Sequence, residues 1–392
     1  MLEKNKFNII VKTVTGLEEV LAKEISQTGA ENIVVLNRAV SCTGGREVIY
    51  RINYFSRTAL RVLVVIKTCR VHNEEELYQQ VHHINWQPFI APGQTLAVDA
   101  VTGNSALTHS HYAALKTKDA IVDQFRGKFG KRPSVNVENP DVRINVHLVG
   151  DECTISLDSS NESLHKRGYR MAQGEAPLSE VLAAGMILLT GWNGQSSFYD
   201  PMCGSGTLLC EAALIAKNVP AGFFRKSFGF EKWNDFDKKA FEEIKNEGIK
   251  GIKPLTCRLF GSDINQMALR SAQKNLASAG VAEEVKTFRK DFENAEAPDS
   301  AGIIITNPPY GERIQKEDLN AFYKKIGDTL KKTFSGWEAW LITSDAPALK
   351  SVGLRTSRKI ILNNGPLECR YVKYELYEGS RKQASKVDGG TE

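Results

Sequence analysis

From Phe7 to Thr13 apolar and polar residues alternate with the period of two that a half-buried strand needs, and from Gly16 to Gln27 the apolar positions move to helical spacing. Two short alternating runs follow, Asn32 to Leu36 and Ala39 to Thr43. Helical spacing returns from Glu47 to Phe55, and a strand pattern from Arg61 to Cys69. The predicted order of this stretch is βαββαβ. A second α/β block continues it, with helices near 74–84 and 108–129 and strands near 95–101, 142–149 and 153–157.

Past residue 160 the pattern changes. Short apolar runs now end in an acidic or amide residue: Ser197-Phe198-Tyr199-Asp200, Leu259-Phe260-Gly261-Ser262-Asp263, Lys286 to Asp291, and Gly302-Ile303-Ile304-Ile305-Thr306 before Asn307. Runs of this kind predict buried parallel strands separated by helices. Leu319, Phe322, Tyr323, Ile326, Leu330 and Phe334 recur at helical spacing, and Glu338 to Thr343 reads as a fifth strand. Arg358 to Leu362 and Arg370 to Tyr377 flank Asn363-Asn364-Gly365-Pro366, a turn signal that predicts a terminal antiparallel hairpin.

Two of these strand ends carry chemistry. Asn307-Pro308-Pro309-Tyr310 is a stiff loop able to hold an exocyclic amine: the Asn307 oxygen and the Pro308 carbonyl can accept its two hydrogens, and the Tyr310 ring offers a stacking face. If an amine held there is to be methylated, the methyl donor needs a pocket as well. Asp200-Pro201-Met202-Cys203-Gly204-Ser205-Gly206-Thr207 supplies one, with Gly204 and Gly206 turning the backbone under a ligand and a helix opening at Leu208. A dinucleotide fingerprint is not completed, because Leu209 stands where its third glycine belongs. An Asp ahead of the loop suits a cationic ligand such as S-adenosylmethionine. Asp263, with Ile264 beside it, is placed to take the ribose hydroxyls and Asp291 to lie near the adenine amine, although either Asp alone serves equally well as a helix cap.

The residues that resemble a known family extend much further. Leu164-His165-Lys166-Arg167-Gly168-Tyr169-Arg170, Glu175-Ala176-Pro177-Leu178, the Asp200 to Gly206 loop, Asn307 to Arg313 and Asn364 to Arg370 together make the chain similar to the THUMP-domain RNA guanine-N2 methyltransferases. The resemblance runs from Leu164 to Tyr377. It implies a ferredoxin-like subdomain over residues 1–70, a THUMP RNA-binding domain over 71–160 and a Rossmann-like class I methyltransferase domain over 161–378; the tail 379–392, rich in Gly, Ser, Lys and Gln, is expected from its composition to be disordered. It also implies S-adenosylmethionine as cofactor, guanine N2 as target, and large-subunit (23S) ribosomal RNA or a ribosome assembly intermediate as partner, with transfer RNA as the alternative. Ala176, Pro177 and Leu178 match the family segment that lies along the cofactor's methionine portion, while Pro177 is equally suited to start the helix that follows. Members of the family are often fused to a second methyltransferase. This chain stops at Glu392, so one activity is expected of it.

Charge sharpens the RNA expectation only locally. The net charge of +5 says little, yet Lys116, Lys118, Arg126, Lys128, Lys131 and Arg132 cluster on one predicted helix and its exit, and His165, Lys166, Arg167, Tyr169 and Arg170 form a second group. Both are expected to grip RNA backbone. The basic, aromatic stretch from Ala221 to Trp233 separates Gly206 from Asp263 by far more than the usual spacing of about 20 residues. It is expected to cover cofactor or RNA, with core packing of its aromatics as the alternative.

The seven cysteines show no Cys-x-x-Cys pair and the histidines no ligand spacing, so neither zinc nor disulfides are expected. Cys203 is not expected to be a nucleophile, since direct amine methylation needs no covalent intermediate. No apolar run approaches a membrane span and no signal peptide is visible, which predicts a cytoplasmic protein. Asn-Pro-Pro-Tyr also serves enzymes that methylate protein glutamine, adenine or cytosine. A vestigial fold acting as a nonenzymatic RNA-binding assembly factor is the remaining alternative.

Overall fold

The computed structural model describes residues 6–105, 107–172, 178–309 and 316–377. Ala176, Pro177, Tyr310 and the tail 379–392 lie outside the described residues. The chain divides into two compact units that do not follow chain order. One gathers the chain up to Thr13 with Leu21–Lys166 and Pro220–Lys250; the other gathers Val14–Val20, Arg167–Val219 and the chain from Gly251 onward.

In the first unit, β1 (Phe7–Lys12), β2 (Glu31–Leu36), β3 (Ala39–Gly44), β4 (Arg61–Arg70), β5 (Thr95–Gly103), β6 (Ser134–Val135), β7 (Val142–Val149) and β8 (Glu152–Asp158) form one sheet in the order β2-β3-β1-β4-β8-β7-β5-β6. Helix Glu18–Ser26, which belongs to this unit from Leu21 onward, and helix Arg46–Phe55 complete the predicted βαββαβ order. The boundary near residue 70 divides the chain but not the sheet, because β4 pairs antiparallel with β8 from Leu63↔Asp158 to Arg70↔Glu152. Every residue of β8 after Glu152 is buried, as befits a strand inside a sheet covered on both faces.

The stretch expected to be a lid belongs to this first unit. Phe228, Phe230, Phe241 and Ile244 are part of its hydrophobic core, and Phe230 lies 4.5 Å from the Tyr50 ring and 5.0 Å from Phe241. Arg46 and Asp235 pair at 2.6 Å, Arg51 and Glu247 at 2.6 Å. The Arg225 guanidinium donates to the carbonyls of Ser160, Glu162, Ser163 and Lys166, tying down the loop that follows β8. Aromatic density here means core packing, the alternative reading of the sequence.

The second unit holds β9 (Ser197–Asp200), β10 (Leu259–Asp263), β11 (Val285–Arg289), β12 (Gly302–Thr306), β13 (Glu338–Thr343), β14 (Arg358–Asn364) and β15 (Leu367–Glu375), in the order β11-β10-β9-β12-β13-β15-β14. The first five are parallel to one another, and β15 runs antiparallel to β13 and β14. Chain order reverses between β9 and β12, the place where open parallel sheets bind ligands at the carboxyl ends of their strands. The hairpin turn is tighter than expected: Asn364 pairs with Leu367, leaving Gly365-Pro366 at the tip with Gly365 at φ 60°. Helix Lys316–Thr333 buries Leu319, Tyr323, Ile326 and Leu330 at the predicted spacing. Among the described residues no helix is long and apolar enough to cross a membrane, and no group of His, Cys, Asp or Glu is arranged to hold a metal ion.

Candidate active site

Parallel neighbours β9 and β12 deliver Asp200 and Asn307 to one end of the sheet, with Tyr199 opposite Ile304. The two loops are joined by a residue that the sequence pattern did not single out. Thr306 Oγ1 donates to Asp200 Oδ1 at 2.9 Å, and the Met202 amide donates to the same oxygen at 3.2 Å. Asp200 is 2% exposed and has no cation among its described partners. Burial pushes its pKa up to about 7; the Thr306 and Met202 hydrogen bonds pull it back, and the nearby Asp263 carboxylate adds to the rise. A buried acid in that condition ionises when a cation arrives beside it.

Beyond Asp200 the backbone turns through Gly204 at φ 54° and Gly206 at φ 77°. Gly206 is needed twice over, since a Cβ there would sit 2.9 Å from the Ala272 Cβ on helix Gln266–Ser278. The Gly204 amide donates to Asp263 Oδ2 at 2.9 Å, and Asp263 Oδ1 accepts from Asn265 at 2.8 Å, so the acidic end of β10 holds the loop while keeping acceptor capacity on both oxygens. Asn265 caps the helix that follows. Asp291 is not on a strand, because β11 ends at Arg289; it caps the 3-10 turn Phe292–Asn294, its Oδ1 accepting from Glu293 at 3.2 Å.

These groups line one cavity of about 910 Å³, of the size that holds a nucleoside-bearing cofactor together with part of a substrate. Leu178, Asp200, Pro201, Gly204, Thr207, Asp263, Ile264, Asp291, Asn307 and Pro309 contribute to its wall; Pro308 is buried and Gly206 lies beneath. Ile264 and Met267 stand 60% and 65% exposed, two apolar side chains on the same stretch of cavity wall. Phe322, expected in the core, is only partly buried and also lines the cavity. In the same wall the Asn307 Oδ1 is buried and accepts no hydrogen bond among the described residues. An orphaned acceptor of that kind costs about 1–3 kcal/mol unless a ligand satisfies it.

Cys203 is buried, and burial together with Asp200 and Asp263 pushes its thiol well above the ordinary range, which makes it inert as a nucleophile.

The second basic group is corrected by the structure. Arg167 is 2% exposed and Tyr169 1% exposed. Arg167 Nε lies 3.7 Å from Glu211, and Tyr169 donates to Glu211 at 2.9 Å. Arg170 donates to Glu180 at 2.7 Å, to the Leu178 carbonyl at 2.9 Å and to Thr207 at 3.0 Å. These side chains face inward because the two buried glutamates require partners, and Arg170 steadies two residues of the cavity wall. Helix Glu180–Thr190 is capped by Ser179, so Pro177 does not begin it. His165, 2.8 Å from Ser163, and the exposed Lys166 keep the accessibility that RNA contact requires.

The first basic group lies on helix Ser110–Phe129 and its exit. Arg126, Lys128, Lys131 and Arg132 are exposed, Lys118 pairs with Asp119 at 2.6 Å, and Lys116 sits over the Tyr112 ring.

Sequence reading also passed over Asn275, which is 2% exposed on helix Gln266–Ser278. Its Oδ1 accepts from the Met171 and Ala172 amides, and its Nδ2 donates to the carbonyls of Ala172 and Ser205. All four of its hydrogen-bonding positions are used to hold the glycine loop against the segment leading to Leu178. A lone Asn in a helix carries no signal that would have revealed this.

Comparison with known proteins agrees with the geometry. A model of the RMKL-like methyltransferase domain matches residues 167–373, a THUMP domain model residues 71–158 and a model of the RlmL ferredoxin-like domain residues 8–63. A candidate RNA methyltransferase of Synechocystis sp. is 40% identical over 92% of this chain and 95% of its own length. Ribosomal RNA large subunit methyltransferase K/L of Syntrophotalea carbinolica is 38% identical over 93% of this chain and 53% of its own, so the chain spans about half the length of that relative. The crystal structure of SMU.472, a candidate methyltransferase in complex with SAH, superposes with a TM-score of 0.87 at 29% identity, over 96% of this chain and 100% of that one. With a catalytic-domain match over more than half of its length, the chain belongs to the RMKL-like methyltransferase family, with ferredoxin-like and THUMP domains ahead of the catalytic one.

Proposed function

We propose that this chain is an RNA methyltransferase that places the methyl group of S-adenosylmethionine on the exocyclic N2 amine of a guanine, in large-subunit ribosomal RNA in the cytoplasm. The observation that carries the reading is Asn307 in the wall of the cavity, its buried Oδ1 without a hydrogen-bond partner among the described residues. S-adenosylmethionine supplies, when bound, an electrophilic methyl on a cationic sulfur. Asp200 and Asp263 suit a ligand that brings positive charge and ribose hydroxyls, and Gly204 leaves the backbone room to approach it. Asn307 Oδ1 and the Pro308 carbonyl accept the two amine hydrogens and localise the nitrogen lone pair; Tyr310 offers the stacking face. Extruding the guanine from its stack costs a few kcal/mol, which the pocket contacts offset. No strong general base is required, because the proton becomes acidic only as the new bond forms.

The RNA assignment draws on the THUMP domain and on the names of the relatives, two of which are ribosomal RNA large subunit methyltransferases K/L. The basic residues available to hold phosphate are Arg126, Lys128, Lys131 and Arg132, with His165 and Lys166. Nucleoside mass spectrometry of ribosomal and transfer RNA from cells with and without the gene tests the reading. Loss of N2-methylguanosine from the large-subunit RNA is expected. A change confined to transfer RNA would move the substrate, and no change in either would refute an RNA target.

A further inference from the structure

The first unit contains a second, smaller cavity of about 160 Å³. Segments from separate parts of the chain enclose it: Tyr50 of the ferredoxin-like part, Val64 of β4, Phe89 and Leu157 of the THUMP part, and Trp233 of the 220–250 stretch. The volume is close to that of an apolar cavity of about 150 Å³ known to accept a benzene ring, so one flat ring fits it.

Three features separate this cavity from a packing defect. Trp233 Nε1 is buried and makes no hydrogen bond among the described residues, although a buried indole N–H normally finds an acceptor. β4 slips its register against β8 between Val65 and Lys67, leaving Ile66 without a cross-strand partner, and both Val65 and Ile66 line the cavity. Such bulges recur beside functional sites. At the mouth stand Arg46 and Asp235, each 45% exposed. Both hydrogen bonds from the Arg46 guanidinium go to Asp235 Oδ2, so Oδ1 makes none within the described residues. The cavity therefore offers aromatic walls, a lining tryptophan whose buried indole N–H has no acceptor among the described residues, and a mouth presenting both a donor and an acceptor.

We propose that this cavity receives one unstacked nucleobase of the RNA substrate, held between its aromatic side chains, with Trp233 Nε1–H donating to a ring nitrogen or carbonyl oxygen of the base. A nucleobase is the flat ligand whose rim carries acceptors and donors together, whereas an aliphatic ligand would leave the indole N–H unpaired. The 220–250 stretch thereby completes a base-binding pocket as well as a core. The inference rests on the RNA reading above.

The test is photocrosslinking of the full chain to 4-thiouridine-substituted transcripts of large-subunit ribosomal RNA, with the attached peptides identified by mass spectrometry. RNA affinity is then measured for Val64→Phe, which fills the cavity, and Trp233→Phe, which keeps a ring and removes the donor. Crosslinks on the peptides of Tyr50, Phe89 or Trp233 are expected, with RNA affinity about tenfold weaker in Val64→Phe, the scale of one stacked base. A smaller loss is expected in Trp233→Phe, and S-adenosylmethionine affinity is expected to be unchanged in both. If Val64→Phe does not fold, the wild-type crosslinks and Trp233→Phe decide. Crosslinks elsewhere, with Trp233→Phe binding RNA as the wild type does, would overturn this inference and leave the RNA reading standing. Competition by free nucleoside monophosphates as effective as by RNA would overturn it too, in favour of a soluble nucleotide; a wild-type chain that binds no RNA would remove both.

Discussion

Asp158 and Asp200 occupy equivalent places in the two units. Each ends a β-strand, each is almost wholly buried, and burial raises the pKa of each. Their surroundings differ. Asp158 is paired with Arg61 and accepts from the amides of Ser160 and Asn161, so the chain itself supplies its counter-charge. Among the described residues Asp200 has a threonine hydroxyl and one amide, and no cation. A buried carboxylate whose partners are internal is held by the scaffold; one with no cation among the described residues fits the proposed site, where a cationic ligand would supply it. Asn307, whose acceptor has no partner among the described residues, falls on the same side as Asp200.

The contrast breaks most visibly if scaffold and site residues respond alike. Removing the paired cation from Asp158 with Arg61→Ala leaves its buried charge with only the more distant Arg143, and a loss of about 3 kcal/mol is expected, read as a lowered denaturant midpoint for the first unit. Asn307→Ala should behave oppositely, with turnover on RNA falling about 10²-fold or more while thermal stability and cofactor affinity are retained. Near wild-type turnover would show that Asn307 does not orient the amine.

Asp200 sharpens the comparison through pH. Its pKa is near 4 in the unfolded chain and about 7 in the ligand-free fold, so the fold binds the proton more tightly. The stability this group contributes is complete below pH 4 and is lost as pH rises through 7. Binding of a cationic cofactor has the opposite sign and strengthens as pH rises through about 7, because it requires the carboxylate. Asp200→Asn should weaken S-adenosylmethionine binding about tenfold at pH 8 and flatten its pH dependence, both measurable by calorimetric titration. Unaltered pH dependence in that variant would assign the titration to another group.

The smallest effect concerns a pair within the first unit. Cys69 faces Cys153 across β4 and β8, and a hydrogen bond from the Cys153 thiol holds the Cys69 thiol below its ordinary range, whereas burial pushes Cys42 up to about 11. Iodoacetamide should label Cys69 at a lower pH than an ordinary thiol and leave Cys42 unreacted, with peptide mass spectrometry as the readout. Equal labelling would show that the cross-strand partner does not control the thiol.

Much of this was legible from the chain. The βαββαβ order, the parallel strands ending in Asp200, Asp263 and Thr306, and the helix carrying Leu319, Tyr323 and Ile326 all follow from periodicity, since period and burial are local properties. The inward turn of Arg167, Tyr169 and Arg170 was not legible. Their partners Glu211 and Glu180 lie downstream in helices whose own pattern is apolar, and a basic run looks the same whether it meets phosphate or a buried glutamate. Nor was the place of residues 220–250, because an aromatic, basic stretch suits a lid and a core equally.

The sequence by itself determined the class of chemistry: Asn307-Pro308-Pro309-Tyr310 after a buried strand, and a glycine loop after Asp200, are bound to side-chain type and local turn geometry. Tertiary structure alone decided which polar groups were left without partners. Hydrogen bonds such as Thr306 to Asp200 and Asn275 to Ser205 join residues far apart in the chain, and a group is known to be unmatched only once every neighbour that might satisfy it has been folded into place.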